Sequence, residues 1–414
     1  MQWNRLRNAV QWALAVLVIF VFVRSAWASP KERVLHSFDC ATDGCGSYAA
    51  LTLDAKGNLY GTTLDSVFKM THGQSGWTLK VLHLFNVLSE GESLNANVAF
   101  DPAGNLYSTA QNGGTYDFGT VFELIPGSAG WTLNVLHSFN LYGGDGGDPF
   151  AGVVLDKAGN LYGTTQDETA YELTPSSGGA WAETIIDDFK GKGDGSQPEA
   201  GLVWDAVGNL YGTTRFGGLI TQGCSGGCGT IFELSPTSGG GWKERVLHRF
   251  NWVPGSHEGQ APYAGLVFDG SGDLYGTTAG GGSDNTCGGG CGTVFKLTPL
   301  ARGRWKETIL HNFNSGKNGN APFAGLVLDK AGNLYGTTQR GGIGSSCQGG
   351  CGVVFKLAHA PKGKWVYSVV HRFTGPDGAV PNAGLIFDKP GKHLYGTTTF
   401  GGTNGVGTVF EITP

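Results

Sequence analysis

The sequence predicts an all-β fold, a seven-bladed β-propeller of four-stranded blades closed into a ring by its own N-terminal strand. Three observations carry that expectation. The phrase DKAGNLYGTT at residues 156–165 returns unchanged at 329–338, and near copies begin at Asp54, Asp101, Asp205, Asp269 and Asp388. The copies lie 47, 55, 49, 64, 60 and 59 residues apart, the period of one four-stranded blade and about twice that of leucine-rich or β-helical coils. The repeat region also begins on a fourth strand, Glu32 to Phe38, and ends on a third, Gly407 to Pro414. Pairing those two ends completes a seventh blade and removes two sheet edges that would otherwise aggregate.

Taken in order, residues 1–28 read as a cleaved signal peptide. Arg5 and Arg7 precede an apolar run from Ala13 to Val23, and Ala26-Trp27-Ala28 supplies a small-x-small cleavage pattern. That run makes roughly 16 Å of helix against the ~30 Å hydrocarbon core, too short for a membrane span. Its removal takes away three arginines and no acid, moving the formal charge from −5 to −8. A mildly acidic exported chain is not expected to bind nucleic acid or anionic membranes. With 72 glycines and 15% charged residues among 414, the mature chain, 29–414, reads as one repetitive globular domain without a transmembrane segment. The blades fall near 48–85, 95–139, 150–189, 199–250, 263–313, 323–373 and 382–414 plus 31–38, and a monomer is expected.

Within a repeat, four segments of 5–9 residues are rich in Val, Ile, Leu, Tyr, Phe and Thr and bounded by Gly, Pro, Asp or Asn. Those are strand signals, and no sustained helical period accompanies them. Between the first two strands, Asp-x-x-Gly-Asn makes a tight turn: Asp accepts from the backbone N–H two residues on, and Gly supplies positive φ. A calcium loop would need further alternating oxygen ligands that the phrase lacks.

The strand ends and repeats together resemble the GloVer tandem repeats of choice-of-anchor extracellular bacterial proteins. The features that carry the resemblance are LYGTT, VF-[EK]-L-T-P and W-x-x-x-VLHSF, spread over about residues 31–414. The resemblance implies export and surface display and assigns no chemistry. Such proteins are named for varied C-terminal sorting tails, and the departure here is that none follows Pro414, which leaves the anchoring mode open. The fold broadly resembles gluconolactonase-like and streptogramin-lyase-like propellers, without a residue-level match to their sites.

Chemistry on a ring axis needs groups that differ between blades, so repeated residues are read first as structural. His36, His83, His137, His248, His311 and His371 share one fourth-strand position, held by Asp187 in the remaining blade. On outer strands they stand far from one another, so neither a metal nor a cofactor is expected. Trp77, Trp131, Trp181, Trp242, Trp305 and Trp365 open the same strand and suit packing between blades. Asp43, Glu90, Asp145, Asp194, Glu258 and Asp377, with Asn318, recur in the connection to the next blade. They form either a crown of carboxylates for a basic ligand or ordinary turn residues. Tyr48, Phe150, Tyr263 and Phe323 precede the innermost strand and rim the channel mouth, where aromatics suit sugar rings or blade packing.

Cysteine spacing breaks the symmetry. Cys224/Cys228, Cys287/Cys291 and Cys347/Cys351 lie in the inserts of blades four to six, and Cys40/Cys45 near the first strand. Local pairs in an exported chain read as disulfides. Such short loops are expected to stiffen the Gly-rich inserts more than to hold the ring, at only about 2 kcal/mol each. Short inserts over blades one and three leave a low side, so a cleft is expected there. Two functions fit. One is a binding or scaffold module for a glycan or surface protein. The other is a carbohydrate-active hydrolase or lyase using the repeat-breaking Asp65, Asp167, Glu168, Arg215 and Arg340, with Asp284 a further repeat-breaking group that could face the cleft. The absence of HExxH, G-x-S-x-G, a P-loop or a lone nucleophilic Cys favours binding.

Overall fold

A computed structural model describes residues 31–86, 89–191, 193–342 and 346–414; the expected signal peptide lies outside them. Seven four-stranded antiparallel sheets follow one another, each in simple up-and-down order from the innermost strand outward. In blade five the strands are Val267–Phe268, Leu274–Thr278, Thr293–Pro299 and Trp305–Asn312. The inner strand is short because the Asx-type turn closes immediately after it. In blade three, Asp156 Oδ1 accepts the N–H groups of Ala158 and Asn160 at 2.8 and 2.9 Å, and Oδ2 accepts the Asn160 amide at 2.9 Å. Gly159 turns at φ +90°. The carboxylate is occupied by its own turn, which fits a structural role for the repeated phrase.

Each remaining letter of LYGTT has a packing duty. Leu and Tyr are buried in every blade. Glycine stands third in six blades, where a Cβ at Gly212 would lie 2.4 Å from Phe232 Cζ on the next strand; blade two accommodates Ser108 opposite Phe122. The first Thr crosses to the following blade: the hydroxyls of Thr164, Thr277 and Thr397 donate to the carbonyls of Ala200, Ala324 and Ala49 at 3.2, 2.9 and 3.0 Å. The second Thr bonds within its own blade, as Thr278 does to Thr293 at 2.8 Å. Trp181, Trp242, Trp305 and Trp365 meet the second-strand tyrosine of the preceding blade edge-on, 5.6 to 6.3 Å between centroids. The apolar clusters therefore straddle neighbouring blades, as where Phe38, Leu51 and Phe68 pack with Tyr395 and Val409.

The ring closes as the termini of the repeat region imply. Lys31–Ser37 pairs antiparallel with Thr408–Thr413, Lys31 opposite Thr413 and Ser37 opposite Thr408, as the outermost strand of blade seven. Every outer strand carries a one-residue bulge just before its histidine position. Alternation along a strand would turn consecutive side chains to opposite faces; the bulge resets that parity. As a result both Leu136 and His137 face the following blade, where Leu136 packs beside Tyr171 and Leu173 and His137 approaches Glu183.

Candidate functional site

The connection entering each blade and the insert between its second and third strands share one face, since they bridge to one another. Glu92 pairs with Asn112, Ser196 with Phe216, Asn320 with Arg340 and Ala379 with Phe400, and in blade five Gly259–Gln260 pairs with Gly280–Gly281. All four cysteine pairs are disulfides. Three of them close insert loops of four-residue separation over blades four, five and six.

The expected role of these three bridges, stiffening surface loops more than holding the ring, needs correction. Cys228, Cys291 and Cys351 are fully buried in the apolar clusters between blades. Cys228 packs with Phe250 and Trp252, Cys291 with Val294 and Phe313, and Cys351 with Val354 and Phe373. Their carbonyls accept the N–H groups of Ala261, Ala321 and Val380, on the connection entering the next blade, at 3.0, 2.9 and 2.9 Å. The physical reason is that a half-cystine behaves as a small apolar group, so the sulfur seats where the third strand begins and its core already lies. Each bridge thus fastens an insert to the seam beneath it, and these three cysteines are closed to any ligand.

On this face the rim residues of blades four to six come together. The rings of Tyr263 and Phe323 lie 4.6 Å apart. The Arg215 guanidinium lies over the Tyr263 ring, 4.5 Å from its centroid, and bonds Glu199 at 3.0 Å. Burial raises the Tyr263 hydroxyl to about 12, so it stays a neutral donor at any physiological pH. Gln260, Tyr263, Phe323, Arg340 and the Cys287–Gly290 loop surround a cleft of about 550 Å³. It lies between the stapled inserts, whereas the sequence pointed to the low side over blades one and three. Tyr48 and Phe150 occupy the same rim position half-buried, and neither meets another ring among the described residues. A larger cavity of about 1000 Å³ opens on the opposite face between the turns of blades two to four. Its Asp101, Asp156 and Asp205 are each engaged by their own turns.

The crown acids turn inward. Asp43, Glu90, Asp145 and Asp377 hydrogen-bond the ring nitrogens of His36, His83, His137 and His371 at 2.6, 2.9, 3.1 and 2.9 Å. The same carboxylates accept the backbone N–H groups of Asp39, Asn86, Asn140 and Thr374 at 2.7 to 2.8 Å. Asp194 and Glu258 take those of Lys190 and Asn251 at 3.2 and 2.8 Å. Each acid thus caps the turn leaving its outer strand. The sequence reading missed a third participant, a glutamate four residues before the histidine position of the next blade. Glu183, Glu307 and Glu32 come within 4.8 Å of His137/Asp145, His248/Glu258 and His371/Asp377, sets of donors able to hold a cation. The signal was present as Glu at one fixed offset in blades three, four, five and seven, against Leu or Tyr in the others.

The residues of the hydrolytic alternative stand on blades one, three, four and six. Asp65 accepts the Thr63 hydroxyl at 3.1 Å and the Cys45 N–H at 3.4 Å. Burial raises Asp167, and burial with Asp188, Asp167 and Asp194 nearby raises Glu168. Asp284 caps a short turn through Thr286 and is held low by those hydrogen bonds. Among the described residues, no hydrogen bond or ion pair joins Asp65, Asp167 or Glu168 to Arg215 or Arg340.

Fold and face together define an all-β propeller module of seven blades with one elaborated, disulfide-stapled face. The chain belongs to the Gloeobacter/Verrucomicrobia repeat family, whose profile matches residues 20–166, 64–223 and 288–414. No curated protein matches it. Among solved structures it is similar to the extracellular domain of a hybrid two-component system from B. thetaiotaomicron, at 13% identity and a TM-score of 0.55, over 94% of this chain and 41% of that one. The chain thus spans about two fifths of that structure's length. Weaker likenesses are to an oxidoreductase (glucose dehydrogenase) from Thermus thermophilus and to the PQQ-bound aldose sugar dehydrogenase of Streptomyces coelicolor. The first has 15% identity, a TM-score of 0.42 and coverage of 93% and 100%. The second has 12%, 0.47, and 93% and 98%. At these identities the likeness extends to the fold alone.

Proposed function

We propose that the chain is an exported, monomeric propeller, residues 29–414, whose stapled face binds a glycan in the cleft between blades five and six. The observation that carries this reading is the aromatic pair Tyr263 and Phe323 beside Gln260 and Arg340. Aromatic faces stack on sugar C–H surfaces, while amide and guanidinium groups take the hydroxyls or carboxylates around the ring. Four disulfides support an oxidising compartment, outside the cell or in the periplasm. A stiff loop also favours binding, since less freedom is lost when a ligand docks.

A glycan array probed with the secreted protein tests the reading, with Phe323→Ala and Arg340→Ala as variants. Wild type is expected to bind a restricted set of sugars, and each variant to lose tenfold or more of that affinity. Equal binding by wild type and both variants would place the ligand elsewhere. Capture of a surface protein with no sugar retained would replace the glycan as the ligand class.

A further inference from the structure

We infer that the seam between blades four and five holds a divalent cation of the zinc class, bound by His248, Glu258 and Glu307. The three side chains come from two blades: His248 from the outer strand of blade four, Glu258 from the connection after it, and Glu307 from the outer strand of blade five. Their donor atoms all lie within 4.8 Å of one another, and His248 Nε2 is 3.6 Å from Glu307 Oε2. Ligands on a tetrahedral ion at about 2.0–2.1 Å stand roughly 3.4 Å apart, so little movement is needed.

Two further features point to a missing partner. The Glu307 side chain is only 9% exposed, yet its Oε1 has no hydrogen-bond partner, and His248 Nε2 is likewise buried and unbonded. A buried carboxylate oxygen and a buried imidazole nitrogen left unsatisfied side by side are desolvated without compensation, and a cation relieves both at once. One imidazole nitrogen with two carboxylate oxygens suits zinc better than calcium or magnesium, which take oxygen alone. Three protein ligands leave a fourth position for water.

The same construction recurs at two other seams, His137, Asp145 and Glu183 between blades two and three, and Glu32, His371 and Asp377 between six and seven. Glu183 Oε1 and Glu32 Oε1 are also buried without partners. Between blades five and six, Tyr367 replaces the glutamate and stacks on His311 at 4.0 Å, filling the space with a ring. That seam is a natural negative control.

The test uses full-length secreted protein, stripped with EDTA, and zinc alone titrated against a chromophoric competitor at pH 7.5. The expected result is tight binding, at micromolar concentration or below. Glu307→Gln and His248→Asn should each remove one equivalent, and His311→Asn none. Wild-type protein that binds no zinc in this range, or variants that keep the full stoichiometry, would overturn the site. Should either variant misfold, zinc-edge anomalous diffraction from wild-type crystals decides: a peak among the three side chains supports the assignment, and its absence refutes it.

Discussion

Closing the ring makes one seam, blade seven to blade one, where residues 348 apart in sequence meet as neighbours elsewhere in the ring do. Thr397→Val probes it. The Thr397 hydroxyl is fully buried and donates to the Ala49 carbonyl at 3.0 Å; valine keeps the shape and deletes the donor. A buried acceptor robbed of its partner costs about 1–3 kcal/mol. The internal standard is Thr277→Val, which deletes the equivalent 2.9 Å bond to Ala324 between blades five and six. Melting temperature, followed by circular dichroism, should fall by about 2–4 °C per kcal/mol at 150–250 residues and by less in a chain this long. Both substitutions should lower it equally. If Thr277→Val destabilises and Thr397→Val leaves the melt unchanged, the seam is not formed in solution and the closed ring is refuted.

Two other outcomes follow from the packing and the charges. Gly212→Ala drives a methyl group to 2.4 Å from Phe232 Cζ, and overpacking of this kind should cost about 1–3 kcal/mol; a urea midpoint equal to wild type would contradict the packing argument. At the seam between blades three and four, where Asp187 replaces histidine, burial together with Asp187 and Asp194 raises Glu244 to about 7. Burial with Asp194 and Asp188 raises Asp187 to about 6. Folded protein then holds protons that the unfolded chain has released, so this seam is most stable at about pH 4 and loses stability as pH rises through about 6 to 7. Asp187→Asn should shrink the fall in melting temperature between pH 5 and pH 8; an identical fall in both proteins would show that the carboxylates do not repel.

The blade period, the turn chemistry and the identity of the closing strand were legible because they are local or periodic. Asp, Gly and Asn at fixed offsets specify a turn wherever they occur, and seven copies of one unit whose ends complement each other have few ways to satisfy their sheet edges. The pairing of the four disulfides followed from spacing alone, but the burial of Cys228, Cys291 and Cys351 did not, because a cysteine in a Gly-rich insert carries no mark of the core beneath it. The direction of the crown carboxylates was equally hidden, since Asp-Gly in a connection reads the same whether its oxygens face solvent or cap their own turn. So was the place of the aromatic cleft: loop lengths suggested the low side, while Tyr263 and Phe323 meet between the stapled inserts.

What the sequence determined by itself was therefore the unit and its count. What tertiary structure decided was which side chains of adjacent units meet. His248 and Glu307 are 59 positions apart and look like separate single occurrences in the chain. A one-residue bulge turns His248 toward the next blade, and stacking blades then brings Glu307 from that blade against it. Parity along a strand and contact across a seam depend on register and three-dimensional packing, which no offset within a single repeat encodes.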